Sequence, residues 1–223
     1  MFSWKKRSFP GQEVPTVRTI AALAALLFAW VAPSASAMSF PALTLPDGVR
    51  IVLAEGPAAE GDAGRLRTAL QSAERDRFGN KVLALDSTGG LVIEAFAMAD
   101  VMYKEGVSTL VRTGATCASA CAQILFLSGV HRAVEGSGRI GLHSCRVACE
   151  RSRSMVCNEL IARNAMARGT RYEAIMSFLI LTDPAGMRWL TAPEAEYWGF
   201  TRKPGQDART PRPGPVQAVV RPS

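Results

Sequence analysis

From residue 49 onward, short apolar runs alternate with longer stretches whose apolar positions recur every three or four residues. Val49–Leu53 (VRIVL) is rich in β-branched side chains and sits between Asp47-Gly48 and Gly56-Pro57, which predicts a strand. Residues 60–78 carry Leu66, Leu70 and Ala73 at helical spacing among charges, which predicts an exposed amphipathic helix. Lys81–Leu85 (KVLAL) and Val107–Val111 are continuous apolar runs of the kind that parallel sheets bury on both faces. Between them, Asp86-Ser87-Thr88-Gly89-Gly90 forms a turn that leads into a helical stretch over Leu91–Tyr103. A loop holding Gly114, Thr116 and Cys117 precedes Ala120–Leu127, whose apolar run predicts a buried helix. Shorter strands are expected near 131–134 and 139–143, and helices near 153–168 and 171–181. Strand–helix alternation of this kind argues for βαβ units with right-handed crossovers, an α/β fold. No internal repeat is present.

The two ends of the chain differ from this middle. Lys5-Lys6-Arg7 and Arg18 precede the apolar run Ile20–Val31, which is followed by Pro33 and by Ala35-Ser36-Ala37. A bilayer span needs about 20 apolar residues, so this run is too short to cross. The order of cationic, apolar and small-residue regions predicts a signal peptide over residues 1–37, with cleavage after Ala37. The alternative is an uncleaved N-terminus that associates with the membrane. From Lys203 to Ser223 the composition turns to Pro, Arg, Gly and Gln, which predicts a disordered tail. A domain over residues 38–202 remains.

Charge and cysteines refine the picture. The formal charge is +7, and Lys5, Lys6, Arg7 and Arg18 against Glu13 place three of those charges in the first 37 residues. The +4 left for the mature chain is a mildly basic surface and gives no reason to expect nucleic acid as a partner. Export makes Cys117, Cys121, Cys145, Cys149 and Cys157 candidates for disulfides. Their Cys-x3-Cys spacings also permit zinc, and five being odd leaves at least one thiol unpaired or intermolecular. The expectation is at least one disulfide near the active-site loops, where a cross-link between the Cys117/Cys121 and Cys145/Cys149 pairs would fix Ser119 against His143, with no metal and no cofactor.

Three features carry chemistry. Gly89-Gly90 follows a buried strand, where glycine lets backbone N–H groups approach a substrate carbonyl, although such turns also use glycine for geometry alone. Ser119 lies among small residues in Cys117-Ala118-Ser119-Ala120-Cys121, at the start of a buried helix. It is either a nucleophile near the positive end of the helix dipole or an ordinary N-cap. His143 ends the run Ile140-Gly141-Leu142-His143 and is the better base of the two histidines, since His131 stands beside Arg132 in an expected surface turn.

Together these residues resemble the Clp-type serine peptidases of the crotonase superfamily, and in particular their secreted bacterial relatives. LDSTGGLVIEAFAMADVM is similar to the family's strand, glycine turn and helix. VSTLVRTGATCASACAQILFLSG resembles its strand and nucleophile helix, RIGLHS its histidine segment, and WLTAPEAEYWGF its closing motif. The resemblance covers roughly residues 80–202. It implies a repeated ββα spiral with parallel sheets and packing helices, Ser119 as nucleophile, His143 as base, and an oxyanion hole at the Gly89-Gly90 turn and Ala120. Where the family carries the acid that orients the histidine, this chain has Met187, and Asp183 four residues earlier is the candidate third member. Thr88 replaces the usual proline before Gly-Gly.

These readings lead to an exported serine hydrolase, peptidase-like, periplasmic or secreted, acting on a peptide or protein and assembling as a homo-oligomer. The alternative is a non-catalytic scaffold of the same fold that binds peptides or partner proteins. An acyl-CoA enzyme is disfavoured outside the cytoplasm. A Ser–Lys dyad would have to draw on Lys81, Lys104 or Lys203.

Overall fold

The computed structural model describes residues 37–146 and 152–206. The expected signal peptide, Cys149 and most of the expected tail lie outside the described residues.

The fold is mixed α/β, with two sheets. The larger has the order β1-β2-β3-β4-β6, formed by Ala42–Thr44, Arg50–Glu55, Lys81–Asp86, Val107–Val111 and Arg132–Val134. β2, β3, β4 and β6 run parallel, and β1 lies antiparallel on the edge. Every residue of β4 and four of the six in β3 are buried, as their apolar runs require of strands covered on both faces. One face packs Leu83, Leu85, Met98, Met102, Leu125 and Phe126 into the main core. The other packs Ile51, Val82, Ala84 and Leu110 beneath Leu43 and Leu53.

The smaller sheet has the order β5-β7-β8, formed by Thr116–Ala118, Arg139–Leu142 and Arg188–Thr191. β5 and β7 pair in parallel, and β8 closes antiparallel onto β7. A parallel bridge between Ser87 and Cys117 joins the end of β3 to this sheet.

The helices are α1 (Asp62–Gln71), α2 (Val92–Glu105), α3 (Met155–Ala167), α4 (Tyr172–Leu181) and α5 (Ala192–Tyr197). None among the described residues is long and apolar enough to cross a membrane. α1 stops well short of residue 78 because the following segment finds other backbone partners. Glu74 N–H donates to the Arg50 carbonyl at 2.8 Å, and the Asp76 carboxylate accepts from the N–H groups of Phe78 and Asn80 at 2.9 and 3.0 Å. An Asp side chain bonding two residues ahead competes with the helix and makes a turn instead. α5 begins with a capping box, in which Thr191 and Glu194 satisfy each other's end of the first turn.

The buried helix expected over Ala120–Leu127 forms as a π-helical turn, Cys121–Leu125, followed by a 3-10 turn, Phe126–Ser128. π turns are rare and recur at functional sites.

Candidate active site

Ser119 sits at the corner between β5 and the π turn. The pairing Cys117↔Ile140 and Ala118↔Gly141 runs β5 alongside β7, and Ser119 N–H then donates to the Gly141 carbonyl at 2.9 Å. That register sets Ser119 beside the strand end two residues before His143. The side chains meet: Ser119 Oγ stands 2.7 Å from His143 Nε2. Both residues are half-buried, so the pair is held by the fold yet open to a substrate.

Ser119 does not cap the helix, which has Ala120 at its N-cap and no side-chain cap bond. Its φ of 56° lies in the left-handed region that residues with a Cβ rarely adopt. A sharp, strained strand-to-helix turn of this kind lifts a serine hydroxyl out of the chain path.

The glycine turn is built against the serine. A Cβ at Gly89 would stand 2.7 Å from Ser119 Cβ and 3.0 Å from the Ala120 nitrogen, so only glycine permits this approach. At Gly90 it would stand 2.3 Å from the Ala58 carbonyl oxygen. Ala58 clasps the turn from the other side, donating to the Gly89 carbonyl at 2.6 Å and accepting from Leu91 N–H at 2.9 Å. Gly89 N–H is satisfied by Ser87 Oγ at 3.1 Å. The Gly90 and Ala120 N–H groups have no backbone acceptor among the described residues, and free amides at a turn and at a helix start are the donors an oxyanion hole needs. Of the three residues expected there, Gly90 and Ala120 can donate, whereas Gly89 supplies the close approach.

Burial holds the His143 imidazole below the ordinary histidine range, and nearby backbone groups of Pro184 and Ser144 pull the other way. Neither meets Nδ1 at hydrogen-bond geometry: that nitrogen is buried and finds no such partner among the described residues. Asp183 does not fill the place. It is exposed, and its Oδ1 accepts instead from the Ala185 N–H at 2.8 Å. Met187 packs its sulfur over Gly141, where a Cβ would lie 2.7 Å from it.

Two residues that the sequence pattern did not single out hold the histidine segment. Gln123, 2% exposed, donates its side-chain amide to the His143 carbonyl. Asn158, fully buried on α3, accepts from Cys145 N–H at 2.8 Å and donates to Ser144 Oγ at 2.9 Å. A buried polar residue inside an otherwise apolar stretch was the available signal for Gln123, because such a group must find a partner.

The cysteines form two disulfides, Cys117–Cys121 and Cys145–Cys157, with Cα atoms 5.3 and 5.9 Å apart. Both bonds lie near the active-site loops as expected, but each is local and neither joins the Cys117/Cys121 pair to the Cys145/Cys149 pair. Cys117 and Cys121 already face each other across the strand-to-helix corner, and Cys157 reaches Cys145 from the first turn of α3. Two such bonds fit an oxidising compartment. Two of the three lysines considered for a dyad are otherwise engaged, Lys81 Nζ with Glu105 and Lys203 Nζ with Glu196, both at 2.8 Å, and Lys104 lies exposed in the last turn of α2.

No family model and no curated protein matches the chain.

Proposed function

We propose that this chain is an exported serine hydrolase of peptidase type, built on the ββα spiral of the Clp-type peptidases it resembles. The carrying observation is the 2.7 Å approach of Ser119 Oγ to His143 Nε2, beside two backbone amides with no acceptor among the described residues. Ser119 Oγ passes its proton to Nε2 as it attacks the carbonyl carbon of a peptide or protein substrate. The carbonyl oxygen becomes an oxyanion held by the N–H groups of Gly90 and Ala120. His143 then returns the proton to the leaving amine as the C–N bond breaks; water, giving a proton to His143, attacks the acyl-enzyme, and His143 passes that proton to Ser119 Oγ as the acid product leaves. Assembly as a homo-oligomer and a periplasmic or secreted location belong to the same reading.

A fluorophosphonate probe tests it. Wild-type protein is expected to label at Ser119 and Ser119→Ala to remain unlabelled. A wild type that never labels sinks the hydrolase and favours the second reading, a non-catalytic peptide-binding scaffold. That the buried Nδ1 of His143 finds no hydrogen-bond partner among the described residues is the observation that favours that alternative.

A further inference from the structure

Ser119 is the one residue carrying a side chain, among those described, whose φ lies in the left-handed region. Such a conformation persists only where the surroundings over-determine it. Here the surroundings are covalent. Cys117 lies two residues before Ser119, inside β5, and Cys121 two residues after it, at the first position of the π turn. Their disulfide closes the loop that has Ser119 at its apex, and both cysteines are fully buried.

The hydrogen bonds at Ser119 restrain the neighbouring peptide planes. Its N–H reaches the Gly141 carbonyl and its carbonyl accepts from Gln123 N–H, both at 2.9 Å. One bond ties Ser119 to β7 and the other ties it to the helix, and the cross-link adds a covalent tie from β5 to the helix across the left-handed residue. Gly89 lies close on the other side, where any added Cβ would meet the Ser119 Cβ at 2.7 Å.

We propose that the Cys117–Cys121 disulfide is a positioning element for the nucleophile, holding Ser119 left-handed with Oγ aimed at His143 Nε2. Its catalytic consequence rests on the hydrolase reading above, whereas its conformational part does not. In forming the bond, the two thiols surrender two protons and two electrons to a disulfide oxidant, which departs as a dithiol. Before that step Ser119 relaxes to an ordinary φ and Oγ leaves the histidine. The site is thus completed by the oxidising compartment to which an exported chain is delivered.

The test compares wild type with two disulfide-free forms, Cys117→Ala/Cys121→Ala and the better-filled Cys117→Val/Cys121→Ala, each checked for fold by circular dichroism. One readout is the rate of fluorophosphonate labelling, expected to fall at least ~10-fold. The other needs no activity: the imidazole nitrogen resonances of His143 before and after Ser119→Ala. Removing Oγ should move Nε2 in wild type, and should move it by less than about a third as much without the disulfide, where the hydrogen bond is already lost. If wild type does not label, the hydrolase reading fails and the resonance comparison alone decides. Labelling within threefold of wild type together with an undiminished resonance response overturns the proposal. So does failure of both variants to fold, which would assign the bond to the whole domain rather than to Ser119.

Discussion

Gln123 lies in the short π turn that follows Ser119, and its side-chain amide holds the backbone carbonyl of His143. The strand-to-helix corner therefore grips the histidine twice, through Ser119 at the ring and through Gln123 at the backbone. Gln123→Ala should lower kcat at least ~10-fold with little change in KM, because it displaces the base rather than a substrate contact. It should also lose about 1–3 kcal/mol of stability in a denaturant titration, the cost of a buried polar group left unpaired. A shift in stability with unchanged kcat would leave Gln123 a purely structural residue.

Ser119 and His143 are expected to act as one unit. Ser119→Ala, His143→Ala and the double variant should lose hydrolysis to about the same floor, since either loss already stops proton transfer. Additive losses would mean that the two side chains serve separate steps.

His143 must be neutral to accept the serine proton. Burial lowers its pKa below the ordinary imidazole value of about 6.5. The acid limb of a kcat/KM profile should therefore have its midpoint below ~6.5, with full activity at neutral pH. The same shift favours the neutral form in the folded state. Its contribution to stability is complete above the unfolded value and is lost as pH falls through the window beneath it. A midpoint at or above the free imidazole value would show that a charged partner faces Nδ1.

Asp183→Asn should change kcat by less than about threefold. Removal of the orienting acid from a complete triad costs about 10⁴, but this carboxylate is engaged with the Ala185 amide instead. A loss of two or more powers of ten would mean that the 182–184 segment moves to meet His143 during turnover.

Thiol titration of denatured, unreduced protein should find one free cysteine out of five, Cys149, given the bonds Cys117–Cys121 and Cys145–Cys157. Peptide mapping should recover those two pairings. A Cys117–Cys145 cross-link would overturn the observed connectivity.

Much of this organisation was legible because it is written in local pattern. The runs that became β3 and β4 are apolar without a break, and Val107–Val111 formed with those same bounds. What escaped depends on partners distant in sequence. Thr116–Ala118 is too short to announce itself, and it is a strand only because β7 pairs with it. The disulfides went to local partners because the strand-to-helix corner had already brought Cys117 and Cys121 together, a geometry that spacing does not encode. Ser119 and His143 were readable as residue types in a familiar order. That the exposed Asp183 carboxylate would bond the Ala185 amide depends on an Asx turn, in three residues that read equally well as a flexible loop.

The clasp of Gly90 by Ala58, and of Ser119 by Gly89, bears on how this site can drift over generations. Every amino-acid replacement at a glycine codon adds at least one carbon, and at both positions that carbon falls inside the contact radius of fixed backbone or of the serine itself. Random variation should consequently spread freely through exposed Thr88, which lies between Ser87 and the two glycines, while positions 89 and 90 stay monomorphic. A lineage that gave up chemistry but kept the domain would still be barred from changing them, so invariance there is a record of packing and only Ser119 and His143 themselves can report whether catalysis has been selected.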